Sequence, residues 1–176
     1  MNGIRKLSGF VYSIEMVLAC IMTLTMSLSL IAGVVFRYVL SAPLFWTDEL
    51  ALFTFIWASF IGGSMALKKQ SLSSVSIVID RLKGRTRYIL ISIAYAVVAV
   101  FCVYFFCISI PWISAPGIMA EYSSAMRIPM IYPYLSVPVS LLFMSIHAIE
   151  HLLFSLHSIK TMEEYGGADG HGEGAI

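Results

Sequence analysis

Four long runs without a charged residue divide the chain, at 16–36, 50–67, 88–120 and 128–149. None alternates apolar and polar as a barrel strand does, and each exceeds the roughly 9–11 residues such a strand needs. A helix rises about 1.5 Å per residue, so about 20 apolar residues cross a bilayer core. The first and last runs hold 21 and 22 residues and meet that length directly. The second holds 18 and meets it once its wet ends are included. In the third, Pro111 and Pro116 discourage helix beyond about Trp112. The pattern predicts an all-α integral membrane protein with four transmembrane helices, over about 11–37, 48–67, 88–112 and 129–153. These make up a membrane domain of residues 1–165. Arg5 and Lys6 precede the first run as a signal peptide's basic residues would, but the run is longer than the usual h-region of about 7–15 residues. It is expected to be a retained anchor.

The connections carry their own patterns. In SLSSVSIVIDRLKGRTR, Val75, Ile79 and Leu82 recur at one helix face. Ser73 or Ser74 suits the start and Gly84 the end. A short helix over about 74–83 is therefore expected in the membrane interface, with Arg81, Lys83, Arg85 and Arg87 toward anionic headgroups. The alternative is an ordinary basic loop whose charges only fix topology. The tail GGADGHGEGAI, residues 166–176, is glycine-rich without apolar periodicity and is expected to be disordered.

Composition agrees with this reading. Hydrophobic residues make up 59% of the 176 and charged residues 12%, and mean hydropathy is +0.88. Soluble domains carry roughly a quarter charged residues, so a dispersed soluble fold is excluded. The surroundings are membrane lipids, and no nucleic-acid partner is expected. Net charge is +1 and says little, but its distribution orients the chain. The N-terminal tail carries Arg5 and Lys6, and the second connection carries Lys68, Lys69, Arg81, Lys83, Arg85 and Arg87. The first and third connections carry Arg37 and Arg127 alone. By the positive-inside rule both termini and the middle loop are expected in the cytoplasm.

Ionisable groups inside or beside spans are the usual place to look for function. Glu15 stands near the cytoplasmic start of helix one. His147, Glu150 and His151 close helix four at the same side, so Glu15 is expected to pair with His147 or His151. The alternative leaves all four among headgroups. HAIEH also spells H-x-x-E-H, known from zinc peptidases, but no third ligand with a supporting segment is evident. Cys20, Cys102 and Cys107 lie within spans and form no metal-binding spacing. No cofactor is expected in this chain. Gly62 and Gly63, with Ser64 and Ala66, make a small face for close helix packing.

The gap FRYVLSAPLFWTDEL holds the densest chemistry. Pro43 breaks the chain and Thr47 is expected to cap helix two. Asp48 and Glu49 occupy the first turn, where the helix dipole favours negative charge. Arg37 is within reach of either carboxylate, and Glu49 is expected to be its functional partner. Phe36-Arg37-Tyr38, Pro43-Leu44, Trp46, Glu49-Leu50, then Trp57, Phe60, Gly62 and Ala66 resemble the small membrane subunit of tripartite ATP-independent periplasmic (TRAP) transporters. The motif covers roughly residues 30 to 70. One departure stands out: members often carry a histidine and then an aspartate shortly after helix two, whereas KKQSLSSVS has no histidine.

The resemblance implies an accessory subunit in the bacterial inner membrane. It would brace a large multi-helix subunit that holds the substrate and sodium sites and takes up organic acids from a periplasmic solute-binding protein. Arg37, Pro43, Trp46, Asp48, Glu49 and Trp57 would stabilise the hairpin or meet a partner. The alternative is a self-sufficient exporter using Glu15, since small multidrug-resistance exporters also have four helices and a glutamate in helix one. Those chains are shorter and their glutamate lies deeper.

Overall fold

The computed structural model describes residues 2–69 and 85–168. The expected interfacial helix over about 74–83 and residues 169–176 lie outside the described residues. Four long helices carry the fold: α1 (Asn2–Tyr38), α2 (Trp46–Lys68), α3 (Arg85–Ile113) and, after two single-turn helices α4 (Pro116–Met119) and α5 (Ile131–Tyr134), α6 (Ser136–Ala168). All four are long and apolar enough to cross a membrane. Among the described residues the one β-like feature is an isolated antiparallel bridge between Tyr122 and Pro129.

The helices outrun the expected spans. α1 begins at Asn2 rather than near residue 11, because its first turns bury Ser8 and Val11. α6 continues through residues 166–168, which were expected in the tail. Extending a formed helix fixes one residue per hydrogen bond, so a weak sequence can follow a strong one. Pro111 lies inside α3, but only in its last turn, where the missing N–H costs one bond and the helix ends two residues later.

Residue pairs fix the arrangement. Gly33 meets Thr47 across the α1–α2 hairpin. Trp57 bonds Tyr132, Gly63 approaches Met144 and Lys68 pairs with Glu150. Both numbers rise together, so α2 and α6 run parallel. α1 packs along α2, α2 on α6 and α6 along α3, while α1 touches α6 only slightly. The result is an open row, α1–α2–α6–α3, rather than a closed bundle. Burial follows that order: 11% of the α1 span and 17% of the α3 span are buried, against 28% and 33% for α2 and α6.

Much of what the row buries is small, although Ile61 is fully buried and Leu67 and Leu141 are buried too. Ser29, Ala51, Ser64, Ala99, Ser136, Ser140 and Ala148 are all buried, whereas Leu28, Ile31, Phe101 and Tyr104 are exposed. In lipid there is no hydrophobic drive between helices, so close backbone approach between small residues supplies the packing. Some buried hydroxyls bond their own helix, as Ser145 does to the Leu141 carbonyl at 2.6 Å, whereas those of Ser64 and Ser140 find no partner among the described residues. Others bond across helices, as Ser92 does to Ser155 at 2.8 Å.

Candidate functional site

Polar side chains gather at the two ends of the row. At the loop end, where residues 39–45 and 114–130 connect the helices, Arg37 closes α1. Its Nη2 donates to Asp48 Oδ2 at 2.9 Å, with both side chains at least half exposed. Glu49 is not its partner, contrary to expectation. Successive helix positions differ by about 100°, so only one of these neighbours can face α1. Glu49 turns instead to the connection before α6. It accepts hydrogen bonds from the Ser123 hydroxyl, the Ala125 N–H and the Met126 N–H, each at 2.8 Å.

That connection is itself a tight turn. The Ser123 N–H reaches the Ile128 carbonyl at 2.9 Å, the Met130 N–H reaches Glu121 at 2.9 Å, and Arg127 adopts a left-handed φ of 55°. The Trp57 indole N–H donates to the Tyr132 carbonyl at 3.1 Å, tying α5 to α2. Thr47 does not cap α2: Phe45 occupies that position, without a side-chain bond. Thr47 is fully buried and donates to the Leu44 carbonyl at 2.7 Å. A Cβ at Gly33 would come 2.9 Å from Thr47 Oγ1, so glycine sets the closeness of α1 to α2. Pro43 and Trp46 line a shallow depression with Phe45 and Ser124. The Gly62–Gly63 pair divides: a Cβ at Gly63 would meet Met144 Cε at 2.9 Å, whereas no described residue comes within 4 Å of one at Gly62.

At the terminus end, a polar layer joins all four helices through α6. His147 Nε2 lies 3.0 Å from Glu15 Oε2, and its Nδ1 lies 2.6 Å from Ser8 Oγ. All three side chains are fully buried, which realises the expected Glu15–His147 pairing and adds Ser8 to it. Glu15 Oε1 has no hydrogen-bond partner among the described residues. His151 takes a different place: its Nε2 lies 3.1 Å from the Lys68 carbonyl, and its ring stacks on Tyr95 at 4.8 Å. Lys68, read from sequence as a topology charge, instead turns inward and pairs with Glu150. His147, Glu150 and His151 share one face of α6 at i, i+3 and i+4. From there they reach α1, α2 and α3.

This geometry bears on chemistry. Among the described residues no three His, Cys, Asp or Glu side chains converge as metal ligands. In HAIEH, both ring nitrogens of His147 and Nε2 of His151 are on other partners. Ser8, His147 and Glu15 follow the hydroxyl–imidazole–carboxylate order of a nucleophilic triad, yet Ser8 is fully buried and meets no surface from which a substrate could approach. What both ends do is tie helices together.

A family model described as the DctQ component of tripartite ATP-independent periplasmic transporters matches residues 26–157. The chain belongs to this family. It is a small permease component of a TRAP transporter, a multi-pass protein of the inner membrane. A similar protein is the isethionate TRAP transporter permease protein DctMQ of Oleidesulfovibrio alaskensis, 32% identical over 117 residues. That match covers 64% of this chain and 18% of the relative, so the chain spans less than a fifth of that protein's length. The family match takes in the whole loop-end clasp and His147, Glu150 and His151, and begins after Ser8 and Glu15.

Proposed function

We propose that this TRAP component braces a large substrate-translocating permease subunit for ion-coupled uptake of organic acids delivered by a periplasmic solute-binding protein. The family match carries this reading. In it the termini lie in the cytoplasm and the loop end faces the periplasm, as the distribution of Lys and Arg favours. Sodium coupling belongs to the large subunit. The shape of the chain supports a brace: its charged groups sit at the two ends of an open row, and the 16–36 and 50–67 stretches carry none in between. Its long helices are unbroken at mid-span, unlike the discontinuous helices that hold ions in secondary transporters. A self-sufficient exporter would need Glu15 open to a pathway, and that side chain is fully buried against His147.

Gentle extraction of the tagged chain from its native membrane, with mass spectrometry of what co-purifies, tests the proposal. A stoichiometric, much larger polytopic protein is the expected companion. A chain that emerges alone or only with itself overturns the accessory role. Reconstituting the pair with candidate binding proteins then measures uptake.

A further inference from the structure

A groove runs along the exposed flank of α1 beside α2, from Met16 and Met65 to Ser27, floored by Ala19, Cys20 and Thr23. Met16 to Ser27 spans about 16 Å along the helix. The Ser27 hydroxyl bonds the Thr23 carbonyl at 2.9 Å, so the groove presents an almost wholly apolar wall. One helical turn beyond its terminus end stand Tyr12, four residues before Met16, and Lys69, four after Met65. The Lys69 ammonium lies 5.8 Å from the Tyr12 ring centroid. Arg5 follows two turns further along the same side of α1. Lys69 and Arg5 are exposed, and among the described residues neither pairs with a carboxylate. The nearby acids are occupied, Glu15 by His147 and Glu150 by Lys68.

We propose that this groove holds an acyl chain of an anionic phospholipid whose phosphate is gripped by Lys69 and Arg5, with Tyr12 at the level of the glycerol. The fit is one of two chemistries in series. A chain-sized apolar channel ends where an aromatic ring and two cations, without counter-charge among the described residues, stand at the membrane–water boundary. A partner's transmembrane helix would fill the apolar part but leave those cations uncompensated, whereas one anionic lipid satisfies both.

Native mass spectrometry of the full chain, extracted in mild detergent with whatever it assembles with, tests this by titrating phosphatidylglycerol against phosphatidylcholine of the same acyl composition. Phosphatidylglycerol adducts are expected to dominate. K69Q and R5Q should each weaken them about fivefold, the worth of one cation at a membrane surface. Filling the groove with A19L and T23L should remove both lipids, while G62A, in open space, should remove neither. Equal retention of the two lipids, or unchanged phosphatidylglycerol retention in K69Q, overturns the proposal. Should a variant fail to fold, the unaltered chain still decides. Phosphatidylglycerol should protect Cys20, in the groove, from a membrane-soluble maleimide while leaving Cys107 on α3 reactive. Equal labelling of both overturns the proposal. So does a thiol cross-linker that captures a polypeptide at Cys20.

Discussion

The two ends of the row use the same side-chain types in different surroundings. At the loop end, Arg37 and Asp48 meet in the open, and Glu49 is satisfied by a loop that water also reaches. At the terminus end, Glu15, His147 and Ser8 are sealed from solvent. An exposed ion pair loses little when broken, because water replaces the partner. A buried polar group that loses its partner is left in a medium that cannot solvate it. The loop end therefore shapes a surface, whereas the terminus end holds the row together.

Substitutions sharpen that contrast, beginning with the most damaging. H147L leaves both the Glu15 carboxyl and the Ser8 hydroxyl buried without their partner, at about 1–3 kcal/mol for each group, read as loss of folded chain in detergent unfolding. The double change E15L/H147L should recover part of that loss, since an apolar pair needs no partner. If H147L behaves like the unaltered chain, the sealed layer is not what holds the row. G33A, which drives a Cβ against the fixed Thr47 hydroxyl, should cost about 1–3 kcal/mol. G63A should be milder, because the mobile end of Met144 can yield. E49A removes three hydrogen bonds to one carboxylate and should loosen that turn, visible as faster amide exchange confined to residues 121–130. Exchange spread over the helices would instead make the loop end a global support. Smallest is R37A, at about 0–1 kcal/mol. A double-mutant cycle with D48A should show a small coupling, and the same cycle with E49A none.

Much of this is legible in the amino-acid sequence. Unbroken apolar runs located all four spans, and the charge pattern put Glu15 at the same end as His147 and His151, which allowed a pairing without choosing between the two histidines or excluding the headgroups. Other features depended on helix phase and loop shape, which residue types do not reveal. Asp48 and Glu49 are chemically near-equivalent neighbours, and only the rotation of α2 and the turn at 123–126 assign one to Arg37 and the other to the loop. Gly62 and Gly63 differ by the same rotation. Lys68 read as a surface charge because its partner lies 82 residues away. The buried serines carried a signal that went unread: Ser136, Ser140 and His147 recur at helical spacing, a polar stripe that in lipid marks the side facing another helix.

A row one helix thick, about 10–12 Å across, has no middle layer to protect. Along most of its length each helix is fastened edge to edge, and both broad sides stay open to whatever lies beside them. The ends hold the helices in order, so those sides are free to be recut for a different neighbour without disturbing a single tie. A panel of this kind can change what it fits while keeping how it is framed.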